Sequence, residues 1–350
     1  MHSYDQPTLF ILGSSHKEAK LEDRETFSLD KNEIHTLSSD IAKQNFIDEC
    51  LVLNTCNRLE IYGVSKNESP KIIKESITSH PILRESLFSK YCFFKKQSEA
   101  IEHSFELASG LESQMIGETE ILGQMKEAFL KAKDSNFSNY QLNRLFEKSF
   151  QAAKIVRTQT GITKGHVSIG NVAVHLASRI FGAIEESRIL LIGSGDVSEK
   201  TAQALRTKGV NDITVSSRSK EKTDELSEKF SASSIHFQNF KSKMQHYDII
   251  ISSTSSPEPI IDLKSVEYAI KKGPQRPLFM IDLAMPRDME NEISNINNVY
   301  LYNLDSLAKI ANENMEQRKL EISKAKQIIK SQAWSFWLNL QRRKFFKQNQ

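Results

Sequence analysis

The feature that most constrains this chain is the segment from Arg188 to Lys220, "RILLIGSGDVSEKTAQALRTKGVNDITVSSRSK". A short apolar run meets a glycine turn, an amphipathic helix pattern follows, and a second apolar run ends in polar residues. Strand, turn, helix and strand in that order predict a parallel sheet covered by helices. Further apolar runs at "YDIIISST" and "PLFMIDLA" end in small or polar residues, where a doubly wound sheet places its ligand crevice.

At 350 residues the chain is long for one core, so more than one domain is expected. Runs at residues 8–13 and 50–64 read as strands, and from Ser98 to about Arg157 apolar residues recur at three and four, as in amphipathic helices broken near Gly110 and Gly117. Residues 304–346 lack glycine and proline and read as a long helix. Such a helix braces other domains or pairs with another chain. The expectation is a multidomain α/β protein: an N-terminal α+β catalytic domain over 1–160, a central Rossmann-type domain over 161–300 and a helical segment over 301–350.

A net charge of +3 excludes a wholesale basic coat, so any nucleic acid must be held by local patches. The tail "QRRKFFK" reads first as a solvated helix end and second as a tRNA contact. Three cysteines with no CxxC spacing argue against a disulfide framework and a zinc site. With no signal peptide in "MHSYDQPTLFILGSSH" and no membrane-spanning run, a cytoplasmic protein without a membrane partner is expected.

Gly193 and Gly195 stand where a strand turns into a helix, the place where peptide N–H groups receive a pyrophosphate. Ser198 replaces the usual third glycine. After the second strand, Ser217, Arg218 and Ser219, joined by Lys220, stand where an acidic residue would bind the 2′-hydroxyl of NAD, and suit a 2′-phosphate instead. The opposing reading is a solvated turn.

Cys56, in "LNTCNRLEIY", follows an apolar run yet is surrounded by Asn54, Thr55, Asn57 and Arg58. A lone cysteine at a strand end is ordinarily a small buried hydrophobe. The polar setting favours a nucleophile whose thiolate is stabilised by Arg58, or an Arg58 that clamps a substrate carboxylate. Cys50 and Cys92 have no such setting and read as structural. His103 lies in a helical pattern, where packing is the ordinary role of a histidine.

In combination, "NTCNRLEIY", "ASGLESQMIGETEILGQMKEAF", "AAKIVRTQTGI", "GHVSIGNVAVHLA", "LLIGSGDVSEKTAQAL", "VSSRSKEKTDELSEKF" and "FMIDLAMPRDME" resemble, in order, the segments of the glutamyl-tRNA reductase family. The resemblance implies reduction of glutamyl-tRNA(Glu) by NADPH, without a metal, to glutamate-1-semialdehyde, the first step toward 5-aminolevulinate and porphyrins. It implies Cys56 as the nucleophile that forms a thioester, with His103 polarising the carbonyl or protonating a leaving oxygen. Thr55, Asn57, Arg58, Ser113, Glu118, Thr119, Glu120 and Gln124 would contact substrate, and Gly193, Ser194, Gly195, Asp196, Val197 and Ser198 would form the NADPH loop. Glutamate-1-semialdehyde aminomutase and a second copy of the chain are the implied partners. Thr119 and Glu120 depart from the family's proline and glutamine, and the family's helical dimerisation region extends further than this chain. A small-molecule NADP-dependent dehydrogenase and a catalytically silent tRNA-binding relative are the competing readings.

Overall fold

The computed structural model describes residues 7–66, 69–163, 169–274, 276–312 and 319–348. The chain divides into two compact units, Met1–His166 with Asn314–Gln350, and Val167–Glu313.

The first unit is built on four antiparallel strands, β1 (Pro7–Ser15), β2 (Ile47–Thr55), β3 (Arg58–Lys66) and β4 (Phe93–Lys96), in the order β2-β3-β1-β4. Helices α1 (Leu21–Glu25) and α2 (Lys31–Ala42) lie between β1 and β2, and α3 (Pro70–Thr78), α4 (Pro81–Arg84) and α5 (Phe88–Tyr91) between β3 and β4. Three longer helices follow: α6 (Ser98–Ala108), α7 (Glu120–Asp134) and α8 (Tyr140–Gln159). The apolar run at 50–64 is two strands rather than one. Thr55 pairs with Arg58 across a two-residue turn, so Cys56 and Asn57 form the tip of a hairpin.

Alternation along the strands divides their side chains between two cores. Leu51, Leu53, Tyr62 and Val64 pack with α6, α7 and α8, whereas Cys50, Val52, Leu59 and Ile61 pack with α2 to α5. Where a bulge near Glu49 shifts the β2–β3 register, the buried Glu49 carboxylate turns toward the start of α8. Its oxygens accept from the peptide N–H groups of Asn139, Gln141 and Leu142 at 2.8–2.9 Å. A negative group there also opposes the positive end of the helix dipole. The last fifty residues are shared between the two units, and the long helix braces the first of them. After β10 (Val299–Tyr302), helix α13 (Leu304–Asn312) belongs to the second unit, and α14 (Lys319–Gln348) returns to the first. Ala325, Ile329, Ala333 and Phe336 complete the core beside α6 and α8. The tail at 341–347 falls in the last turns of α14, with its side chains from 343 onward outside the described residues.

In the second unit, α9 (Ile169–Phe181) precedes β5 (Arg188–Ile192), α10 (Asp196–Thr207), β6 (Asp212–Ser216), α11 (Lys220–Lys229) and β7 (Ser233–Ser234). β8 (Ile249–Ser252), α12 (Leu263–Lys272) and β9 (Leu278–Asp282) lead to β10. All pairings are parallel, in the order β10-β9-β8-β5-β6-β7. Counted along the chain this is 3-2-1-4-5-6, the dinucleotide-binding arrangement, with the strand order reversing between β5 and β8. Ile189–Ile192 and Ile249–Ile251 are fully buried, so the C-terminal ends of the two central strands are fixed from both faces.

Replacing Glu49 by alanine removes the acceptor of three peptide N–H groups and is expected to destabilise the first unit by about 2 kcal/mol or more, read by urea unfolding. Loss of helix at α8 in the native baseline would accompany it.

Candidate active site

The hairpin tip is anchored from both sides. Asn57 donates its peptide N–H to Thr55 Oγ1 at 3.1 Å and accepts from the His16 peptide at 3.0 Å, while Asn54 Nδ2 donates to the Leu29 carbonyl. Cys56 is partly exposed between these fixed neighbours.

Arg58, Glu60 and Tyr62 alternate along β3 and share the face toward α6. Arg58 Nη1 donates to Glu60 Oε1 at 2.6 Å, and its Nη2 donates to the carbonyl of Glu112. His103 Nε2 lies 3.0 Å from the same Glu60 oxygen, and the Tyr62 hydroxyl donates to the other at 2.7 Å. All four side chains are buried. Burial pushes the Glu60 carboxyl up, but His103, Arg58 and these hydrogen bonds outweigh it and hold the group far below the usual carboxylate range. Arg58 and His103 are thus drawn together through Glu60.

The electrostatics at Cys56 run opposite to the expectation of a stabilised thiolate. Burial, then the charge of Glu118, push the thiol up to about 12, Glu120 adds to the rise, and the cation that opposes it most is Arg24 of α1. Nearby, burial first and then Arg58, Arg24 and Lys17 push His16 down to about 3, so its ring is neutral around pH 7.

Ser113 and Glu118 are carried by the loop 109–119, which spans the breaks expected near Gly110 and Gly117. Gly110, at φ +79°, ends α6: its N–H bonds to the Leu107 carbonyl and that of Leu111 to Glu106. Gly117, at φ +83°, donates back to the Gly110 carbonyl at 2.7 Å and closes the loop at its base. A Cβ on Gly110 would lie 2.6 Å from the Glu118 carbonyl, so the closure requires glycine. Ser113 is buried inside the loop with its hydroxyl unpartnered among the described residues, and Lys17, in the turn between β1 and α1, holds Glu112 through a 2.5 Å ion pair. Thr119 is exposed at the N-terminus of α7. Glu120 and Gln124, four residues apart, share one face of that helix.

In the second unit, Gly193 follows β5 at φ +121°, and a Cβ there would lie 2.6 Å from the Ser253 carbonyl and 2.7 Å from Ser198 Oγ. A Cβ on Gly195 would meet nothing within 4 Å, so the turn is crowded against the sheet at Gly193 and open at Gly195, as a phosphate cradle requires. Gly195 and Asp196 are exposed at the start of α10, Ser194 and Val197 are half-buried, and Ser198 is buried with its hydroxyl 2.6 Å from that of Ser253. Beyond β6 a pocket of about 370 Å³ is lined by Ser217, Arg218, Lys220, Thr223 and the segment 234–238. Ser217 donates to the Ser219 carbonyl and pairs with Thr223, and Ser219 caps α11. Their hydroxyls therefore shape the wall. Arg218 is exposed and, among the described residues, has no hydrogen-bond or ion-pair partner.

No role was expected from the sequence for Glu60, Asp282 or Asp288. A carboxylate at the third position of the apolar strand "RLEIY", and another closing "LFMID", were the available signals, since a charge in a buried strand needs a partner. No helix among the described residues is long and apolar enough to cross a membrane, and no group of three metal-binding side chains gathers among them.

The family model described as glutamyl-tRNAGlu reductase, N-terminal domain, matches residues 12–160, and that described as shikimate / quinate 5-dehydrogenase matches 175–310. The chain is 37% identical over 336 residues to a glutamyl-tRNA reductase of Nitratidesulfovibrio vulgaris, covering 94% of this chain and 76% of the relative. One from Sulfurihydrogenibium is 38% identical, covering 95% and 76%. The structure of glutamyl-tRNA reductase from Methanopyrus kandleri matches at a TM-score of 0.52 and 30% identity, over 95% of this chain and 80% of that one. Fold and site define a multidomain α/β oxidoreductase with a Rossmann-type nucleotide unit. The chain belongs to the glutamyl-tRNA reductase family.

Burial and the charges of Glu118 and Glu120 hold the Cys56 thiol well above its ordinary pKa. Removing a neighbouring negative charge lowers that pKa, so Glu120→Gln is expected to shift the pH profile of Cys56 alkylation by iodoacetamide to lower pH and to raise its rate at pH 8. An unchanged profile would show that Glu120 does not act on the thiol.

Proposed function

We propose that this protein is a glutamyl-tRNA reductase, converting glutamyl-tRNA(Glu) to glutamate-1-semialdehyde through a Cys56 thioester, with NADPH as the reductant, at the entry to 5-aminolevulinate and porphyrin synthesis. The observation that carries the reading is the single thiol held at the tip of the β2–β3 hairpin within the fields of Glu118 and Glu120.

Those two carboxylates supply the physical logic. They add to the burial that keeps the thiol protonated, and they are of the sign needed to receive the α-ammonium group of a glutamyl ester. Pairing with that ammonium removes their opposition to the thiolate and adds a positive charge beside Cys56, so the substrate itself promotes ionisation. Sγ then attacks the ester carbonyl. A carbon–sulfur bond forms, the carbon–oxygen bond to the tRNA 3′-oxygen breaks, and the thiol proton leaves with that oxygen as the 3′-hydroxyl. Thr55, Asn57, Ser113, Thr119 and Gln124 supply polar groups around the glutamyl chain, and Arg58 and His103 act from the Glu60 network on the side chain's carboxylate and the reacting carbonyl.

The Gly193–Ser198 turn fits a dinucleotide pyrophosphate, with the open N–H groups of Ser194 to Val197 as donors, and Arg218 with Lys220 suits a 2′-phosphate, which favours NADPH over NADH. When bound, NADPH supplies the hydride that reduces the thioester to an aldehyde and frees the thiol. No step calls for a metal. Three unpaired cysteines suit a reducing cytoplasm, the reactive aldehyde suits handover to glutamate-1-semialdehyde aminomutase, and α14 suits a role in a homodimer. A silent tRNA-binding relative is the second reading, favoured by the high pKa of the thiol.

Turnover separates the two. NADPH oxidation is expected only with glutamyl-tRNA, not with uncharged tRNA or free glutamate, and Cys56→Ser is expected to abolish it. Cofactor binding without turnover would overturn the reductase in favour of the silent relative. Arg218→Ala is expected to raise KM for NADPH about tenfold or more while leaving that for NADH little changed, since a charge-assisted bond to the 2′-phosphate is worth about 1.5–3 kcal/mol.

A further inference from the structure

At the C-terminal ends of β8 and β9 two buried aspartates lie outside the residues assigned above. Asp288 is fully buried, and its carboxylate accepts three hydrogen bonds from one short segment. Oδ2 takes the Ser252 hydroxyl at 2.5 Å and the Thr254 peptide N–H at 2.8 Å, and Oδ1 takes the Thr254 hydroxyl at 2.5 Å. The Asp288 carbonyl accepts from the peptides of Ile260 and Ile261 as well, so the residue fastens both ends of the loop that follows β8.

Ser253, the residue between those two partners, makes the contacts with the dinucleotide turn. Its N–H donates to the Ile192 carbonyl at 2.8 Å, its hydroxyl meets Ser198 Oγ at 2.6 Å, and its carbonyl closes on the Cα of Gly193. This is the point at which the strand order reverses, where a doubly wound sheet opens its ligand crevice.

Asp282 places Asp288. Its oxygens accept from the N–H groups of Ala284 and Met289 at 3.0 and 2.9 Å, and so fold residues 283–289 into a closed turn that points Asp288 at β8. Burial first, and Asp288 in addition, push the Asp282 carboxyl up to about 7, against the peptide bonds that lower it.

We infer that Asp288 is a positioning residue for the cofactor: by holding Ser252 and Thr254 it presses Ser253 against Gly193 and Ser198 and sets the shape of the phosphate cradle. The inference rests on the reading of that cradle as an NADPH site. A polar staple of this kind acts on binding rather than on the chemical step, because nothing in the network reaches toward a reacting atom. Asp288→Asn preserves size but places an amide NH2 where one of three donors now points.

The test is NADPH binding by fluorescence titration, together with steady-state kinetics, on the wild-type protein, Asp288→Asn and Thr254→Val. Asp288→Asn is expected to raise the NADPH dissociation constant roughly tenfold, with kcat at saturating cofactor within about twofold of wild type. Thr254→Val, which removes one of the three bonds and serves if Asp288→Asn does not fold, is expected to weaken binding roughly threefold. Amide hydrogen exchange at Ser253 and Thr254 is expected to quicken in Asp288→Asn, a local change that a general loss of stability would not confine to this segment. Folded variants that bind NADPH as wild type does, or that lose kcat at unchanged affinity, would overturn the inference while the reading of the cradle stands. A wild-type protein that does not bind NADPH would overturn that reading and the inference with it.

Discussion

The carboxylate of Glu60 is the interaction on which the first unit depends. Placed in mid-strand with no access to water, it would be costly if left alone, and a charge in that position is tolerated only with partners close by. Arg58, Tyr62 and His103 all converge on its two oxygens. Two of these come from the same face of β3 and one from α6, so a single charge joins hairpin and helix. Through the other half of the Arg58 guanidinium the same network reaches the carbonyl of Glu112, in the loop that carries Ser113 and Glu118. The thiol at the hairpin tip and the carboxylates that act on it are therefore held in one frame whose centre lies below the surface.

The two units use buried carboxylates to similar ends. Glu49 organises the start of α8, Asp282 folds the turn after β9, and Asp288 fastens the loop after β8. In each case a side chain takes the place of the missing partner strand or helix turn and satisfies peptide groups that irregular backbone would leave open. Loops built this way are stiff enough to hold a site, which segments closed only by apolar contact are not.

Local patterns were the legible part of the sequence. The glycine turn between an unbroken apolar run and a helix pattern placed β5, Gly193, Gly195 and α10 correctly, because every interaction that makes the motif lies within a few residues. The parallel sheet followed from the alternation of strands and helices. The hairpin was partly legible: the polar cluster at 54–58 marked a site, but not that Thr55 and Arg58 face each other. What was hidden depends on distance along the chain. Glu60 meets its histidine 43 residues away and Asp288 its serine 36 residues away. A reading by neighbours therefore set Arg58 beside the thiol or a substrate carboxylate and did not find its bond to Glu60. Of the loop 109–119 the breaks near Gly110 and Gly117 were legible, but not that the stretch between them leaves the helix. Its apolar residues keep a helical spacing, and two left-handed glycines override it.

The way α14 closes the first unit bears on how the protein is made. Ala325, Ile329, Ala333 and Phe336 supply one wall of a core whose other walls lie before residue 163, and Glu321 accepts from the Gly161 peptide at 2.5 Å where the two stretches meet. The nucleotide unit is thus an insertion within the first unit. On the ribosome the hairpin and its thiol emerge long before the helix that covers their neighbours, and they wait through the synthesis of an entire second domain with part of their apolar surface uncovered. The inserted unit, whose strands and helices are contiguous in sequence, has all its residues in hand before α14 is made, so the first unit's core is the last to be completed.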